Sequence, residues 1–324
     1  MIEEPTGHAT SNPQETPAWE RKLVADLALA GLVEQRRARR WNVFFKCAFL
    51  SYLIILPLLY LPWGELTSGD GKHTALIELS GVISADSLAS ADRVVGGLRA
   101  AFEDENTAGV IIRINSPGGS PVQSGYIHDE ILRLRALHPD TLVYAVIADI
   151  CASGGYYVAA AADQIYADKA SVVGSIGVVS SGFGFVDSLE KLGVERRLIA
   201  AGENKGFMDP FSPIKPDEVR HFRTVIKEVH EQFIGVVENG RGERLNPEDE
   251  LYGGLVWTGE RSVSLGLVDA LGSASYVARE VVGAETIVDF TPRRHVIEKL
   301  TDQLGLSLAQ GLMSQGWLPS LSLQ

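Results

Sequence analysis

Cysteine is scarce in this chain and poorly placed for a structural role. The 324 residues hold two, Cys47 and Cys151. Cys47 lies in an apolar segment and Cys151 two residues before Ser153, so a bridge between them is not expected. Cysteine usage therefore leaves the redox compartment open. No CxxC or HExxH pairing marks a metal site, and no motif calls for a cofactor. The seven histidines are scattered, and none stands in a recognisable motif with an acid and a serine. A histidine-based triad thus has no support. Positive charge is short as well, with 29 Lys and Arg against 41 Asp and Glu and a net charge of −12. No basic face of the size that nucleic-acid binding needs is present, so no nucleic-acid partner is expected.

One stretch lacks charge altogether. From Cys47 to Gly64 there are 18 residues dominated by Leu, Ile, Phe and Tyr. As a helix this run measures about 27 Å, close to the roughly 30 Å hydrocarbon core of a bilayer. Trp41 and Trp63 bracket it, as interfacial aromatics do. Lys46 can snorkel towards Arg36-Arg37-Ala38-Arg39-Arg40, and Pro57 would kink the helix without abolishing it. The preceding 46 residues are too long for the leading region of a signal peptide, and no small-x-small cleavage site follows. A single uncleaved anchor is the expectation, with contact to a lipid bilayer through that one transmembrane helix.

The positive-inside rule predicts a cytoplasmic N-terminus, with everything after Gly64 on the far side of the inner membrane. Residues 1–46 carry seven basic and six acidic side chains, whereas the remainder carries 22 and 35. The acidic part is the translocated one. The expected organisation is a cytoplasmic segment over 1–46, its first 17 residues disordered and the next amphipathic. The anchor over 47–64 follows, then a linker over 65–73, a catalytic domain over 74–290 and a helical tail over 291–324.

Within 74–290, strand and helix patterns alternate. Strands are predicted over Thr74–Ile83, Ala108–Ile114, Leu142–Ile150, Val172–Val179, Glu195–Ala200 and Thr286–Phe290. Between them stand helical periods, the longest opening at Pro216 and closing at Asn239-Gly240. This order implies an α/β fold with a mostly parallel, covered sheet.

Cys151-Ala152-Ser153-Gly154-Gly155-Tyr156-Tyr157 sits at a strand-to-helix joint. A serine there is either a nucleophile, beside the unpaired N–H donors of a helix start, or a helix N-cap. Asn115-Ser116-Pro117-Gly118-Gly119 ends another buried strand, either as a plain turn or as a source of backbone N–H groups for an oxyanion. With no placed histidine, a serine nucleophile needs a lysine base, and burial is what makes a lysine basic enough. Lys205 lies 52 residues past Ser153 among Phe207, Met208 and Phe211, which can form an apolar pocket. Glu203 and Asp209 oppose that effect if they turn inward. Cys151 reads as a packing residue, not a rival nucleophile.

From Thr74 to Phe290 the chain resembles the signal peptide peptidase A family, in its short, single-repeat, membrane-anchored form. The resemblance rests on motifs in order. They are Ala75–Ile83, Arg113-Ile114-Asn115-Ser116-Pro117-Gly118-Gly119, Ala152–Tyr157, Gly174-Ser175-Ile176-Gly177-Val178, and Lys205 ahead of Asp209-Pro210-Phe211. It implies a serine endopeptidase with Ser153 as nucleophile, Lys205 as general base and Ser175 orienting the lysine amine. Gly119 and Gly154 would be the oxyanion donors. It further implies a crotonase- or caseinolytic-protease-like core of repeated β-α units and a ring-shaped homo-oligomer whose serine and lysine come from neighbouring subunits. The implied substrates are cleaved signal peptides or other unfolded apolar peptides. A crotonase-like acyl-thioester enzyme and a catalytically silent membrane scaffold are the alternatives.

Overall fold

The computed structural model describes residues 18–60, 71–246 and 250–292, with the backbone alone for part of the first helix. The expected N-terminal tail, most of the linker and nearly all of the C-terminal helical tail lie outside these residues. Two separate compact units result, divided at Gly69 and Asp70. The first is the helix α1, Ala18–Tyr60, which takes in the arginine-rich stretch and runs through Pro57. Among the described residues no helix is long and apolar enough to cross a membrane. The uncharged run passes beyond them after Tyr60.

The second unit is built on three long parallel strands, β1 (His73–Ser80), β2 (Thr107–Ser116) and β3 (Val143–Ala152). Two helices cross between them, α2 (Ala91–Glu103) and α3 (Pro121–Leu137). Period-2 alternation feeds two cores. Ala75, Ile77, Val110, Ile112, Val143 and Ala145 point to the larger core, shared with α2 and α3. Leu76, Ile111, Tyr144 and Val146 point to a smaller one that Val277 and Ala278 close on the other face. Coverage on both faces is what a parallel sheet of near-continuous Val and Ile requires.

The smaller strands decide where the chain bends. Tyr144–Ile147 of β3 pair with β4 (Gln164–Ala167), whereas Ile150–Ala152 pair with β5 (Val172–Gly174). One strand therefore serves two neighbours, and its last three residues diverge from the first part. Helix α4 (Gly154–Ala159) follows directly, and α5 (Val186–Lys191) comes after β5. Strand β6 (Val256–Thr258) runs antiparallel to β5, and the short β7 (Ala270–Leu271) pairs in parallel with β4. At the far edge β8 (Ile287–Asp289) pairs with β1.

Three expectations are corrected. The strand predicted over Val172–Val179 stops at Gly174, because Ser175 turns into the left-handed region at φ 51°. Glu195–Ala200 is exposed and forms no strand, since no neighbour offers it a ladder. The long helix α6 (Pro216–Arg241) passes through Gly240 instead of ending there. Gly240 is a packing residue: a Cβ on it would lie 2.1 Å from the Ala160 carbonyl oxygen.

The end of α6 carries a buried ion pair. Arg241 is fully buried, donates to the Gly266 carbonyl at 2.8 Å, and forks onto Asp269 at 2.8 and 2.9 Å. Asp269 also accepts the Ile165 N–H at 2.7 Å, which ties α6 to β4. Burial works to raise the Asp269 carboxyl, but hydrogen bonds and charge from Arg241, with help from Ile165 and Arg244, hold it below its ordinary value. Removing one partner strands the other charge in the interior. Arg241→Ala is expected to lower stability by about 3–5 kcal/mol in urea denaturation. A carboxyl depressed on folding stabilises above its unfolded value of about 4 and ceases to as pH falls through the folded one. Parent and Arg241→Ala stabilities should therefore converge in acid.

Candidate active site

Ser153 occupies the joint where β3 ends and α4 begins, with φ 53° and ψ −124°. A serine in that region is strained by about 1–3 kcal/mol, and such strain persists only where the surroundings over-determine it. Its N–H donates to the Gly174 carbonyl at 2.8 Å and its carbonyl accepts the Tyr157 N–H at 3.0 Å. Its side chain makes no capping hydrogen bond. The N-cap reading therefore fails, and the hydroxyl is free of helix duty.

The turn after β2 is pressed against this joint. Buried Ser116 donates through Oγ to the Gly81 carbonyl at 2.7 Å and accepts the Gly118 N–H at 3.1 Å. Ile83 bonds on both sides of Gly119, its N–H to Gly118 and its carbonyl from Ser120, at 2.9 and 2.8 Å. Gly118 has φ 97°, and a Cβ there would meet Gly154 N and Ser153 Cβ at 2.7 Å. A Cβ on Gly154 would lie 2.4 Å from Ser124 Oγ and 3.3 Å from Gly119 N. Only glycine fits such an approach. Among the described residues, neither Gly119 N–H nor Gly154 N–H donates a hydrogen bond. Two adjacent unused donors beside a hydroxyl suit a developing oxyanion.

A cleft of about 640 Å³ opens over this junction and brings Ser153, Ser175, Gly119 and Gly154 together. Ser175 is pinned by its N–H to the Leu255 carbonyl at 2.7 Å. The walls come from one face of α3 (Val122, Tyr126, Asp129), from Tyr157, and from α6 (Val229, Gln232, Phe233). Tyr157 packs against Phe233 with ring centres 5.2 Å apart. Burial, and then the negative charge of Asp129, pushes the Tyr157 hydroxyl above its ordinary range. The sequence reading missed these walls. Val229 and Phe233 were legible only as apolar positions of a helix, a pattern that does not separate core from cleft.

Lys205 is not among the cleft-lining residues. It is exposed in a turn, its N–H bonded to the Gly202 carbonyl at 3.1 Å. The apolar pocket expected around it does not form among the described residues. Phe207 packs on His221 and Phe222, and Phe211 stacks on Phe185. Asp209 turns to Ser212 and Arg196, leaving the amine alone. Around Lys205 the segment from Val178 to Ile214 holds large apolar side chains out to solvent, Val179 at 89%, Phe183 at 83% and Ile199 at 97% exposure. Cys151 is buried, which pushes its thiol far up and keeps it protonated. Among the described residues no group of three His, Cys, Asp or Glu side chains is arranged to hold a metal ion.

Residues 137–286 match the model of peptidase family S49. The chain is 32% identical over 202 residues to a putative protease, slr0021, of Synechocystis sp., covering 62% of this chain and 70% of that protein. The chain belongs to the S49 family. A putative signal peptide peptidase SppA of Enterococcus faecium is 32% identical over 205 residues, 63% of this chain and 58% of that one. A protein of Brucella melitensis named Na(+)/H(+) antiporter NhaA is 36% identical over 300 residues, 92% of this chain. The match spans 38% of the length of that antiporter protein. Family membership and the mixed α/β core agree.

Two outcomes test the local geometry. Gly118→Ala, which sets a methyl group against Ser153, should destabilise the fold by about 1–3 kcal/mol, read as a lower urea midpoint. In the native protein a maleimide should leave Cys151 unlabelled by mass mapping, and guanidinium should make it reactive.

Proposed function

We propose that this chain is a membrane-anchored serine endopeptidase that hydrolyses unfolded apolar peptides, cleaved signal peptides among them, with a Ser/Lys dyad shared between subunits. The observation that carries the proposal is the pairing of a strained, uncapped Ser153 with two unused N–H groups in one cleft. In the reaction Ser153 Oγ attacks the scissile carbonyl carbon and gives its proton to the neutral Lys205 amine. The Gly119 and Gly154 N–H groups hold the oxyanion, and Ser175 orients the amine. Collapse releases the amine product, which takes the proton from Lys205. Water then gives a proton to Lys205 and attacks the acyl carbon, the bond to Ser153 Oγ breaks, and Oγ takes the proton back from Lys205.

The position of Lys205 outside the cleft supports a base supplied by a neighbouring copy in a ring-shaped homo-oligomer. The exposed apolar side chains from Val179 to Ile214 support it further, because clustered exposed apolar surface favours contact with another protein surface. A crotonase-like core suits a β-α scaffold whose glycine-lined donors face a cleft. The uncharged run over 47–64 and the basic stretch before it support an anchor with a cytoplasmic N-terminus and an extracytoplasmic catalytic unit.

The test uses the full chain in detergent with a fluorogenic apolar peptide amide. Ser153→Ala and Lys205→Ala should each lose at least a hundredfold in kcat/KM. Co-expression of the two variants should restore part of the activity, because mixed rings hold sites with both residues intact. Single variants as active as the parent would overturn the dyad. Full loss in both without recovery in demonstrably mixed rings would overturn the sharing.

A further inference from the structure

The cleft has a charge pattern that the dyad does not use. Among its described lining residues Asp129 is the only charged one. It stands on α3 in a stripe with Val122 and Tyr126, spaced four and three residues apart so that all three share one helix face. Val229 and Phe233 of α6 line the same cleft with apolar surface. The beginning of α3 abuts the nucleophile's segment through Ser124, whose hydroxyl lies where a Cβ on Gly154 would stand. From Ser124 to Asp129 the helix advances about 7–8 Å. The carboxylate thus lines the same cleft as Ser153, about two helical turns from the end of α3 that abuts it.

Asp129 has one polar partner, the His128 ring, whose Nδ1 lies 3.0 Å from Oδ1. No lysine or arginine pairs with it among the described residues, and its side chain is 78% exposed. A cleft with apolar walls and one exposed, unneutralised carboxylate matches a side chain with an apolar stem and a cationic head. Lysine and arginine have that chemistry. A purely apolar side chain fills the cleft without pairing the charge, and an acidic one is repelled.

We propose that Asp129 is a specificity-determining residue that selects peptides carrying a lysine or arginine at one position of the segment held in the cleft. This rests on the peptidase reading above and deepens it. Because Asp129 remains largely in water, the preference should be modest, about fivefold.

The test compares apolar peptide amides that differ at one position, lysine against its uncharged isostere norleucine, scanned along the peptide. With the full chain in detergent, one position should show about a fivefold lysine preference in kcat/KM. Asp129→Asn should reduce that ratio to about one, and Asp129→Glu should keep it. Salt at 0.5 M should shrink it, as expected for a solvated pair. A ratio of one at every position in the parent, or a ratio that Asp129→Asn leaves unchanged, would overturn the proposal. Binding separates the two readings. Fluorescence anisotropy of labelled, uncleaved peptides on Ser153→Ala should show the same lysine preference, lost when Asp129→Asn is added. That result with no hydrolysis by the parent would sink the peptidase and leave the subsite standing. Hydrolysis without any lysine preference would do the reverse.

Discussion

The structure depends on one close approach of backbone to backbone. The Gly118-Gly119 turn lies against Ser153-Gly154 at distances no side chain would allow. That contact is made by parts of the chain far apart in sequence, so the sheet has to deliver both ends with accuracy. It does so because β2 and β3 are adjacent parallel strands whose C-terminal ends emerge together. Ligand sites of open α/β sheets commonly form at that edge. The hydrogen bonds of Ile83 on either side of Gly119 brace the turn from behind.

The change of partner along β3 is the second requirement. With β4 beside its first half and β5 beside its last three residues, the strand end is freed from the flatter part of the sheet. Gly174 then accepts the Ser153 N–H and fixes the serine in a conformation it would not adopt alone. Ser175, the next residue, is itself at φ 51°, so both serines of the cleft occupy strained positions. Strain at two neighbouring hydroxyl-bearing residues, supported by a rigid parallel core, fits a site prepared before its ligand arrives.

A contrast separates the core from the segment that follows it. The apolar residues of the three long strands are buried, and the two cores close around the sheet. From Val179 to Ile214 large apolar side chains face solvent, although α5 and the turns there are regular. Among the described residues these side chains find few neighbours beyond the stacking of Phe211 on Phe185, and Lys205 lies in the same segment. Burial is the means by which a protein makes a lysine amine a base. Among the described residues Lys205 is exposed, and the proposed scheme assigns its burial to assembly.

Much was legible in the sequence alone. The α/β class, the three long strands and α6 follow from period-2 and helical periodicity, which depend on local side-chain order. The motifs around Gly119, Ser153 and Ser175 were legible because glycine and serine at strand ends carry their own chemistry. Other features depend on contacts between distant residues. The end of β5 at Ser175, the passage of α6 through Gly240 and the lack of a ladder for Glu195–Ala200 are set by neighbours that local pattern does not encode. Only the folded chain decided that Ser153 is not a cap, that Val229 and Phe233 line a cleft, and that Asp129 faces it unneutralised. It likewise decided that Lys205 is exposed and does not line the cleft that holds Ser153. Fifty-two residues of sequence separation do not say which residues share a cleft, because Ser153 ends a strand of the sheet while Lys205 lies in an exposed turn.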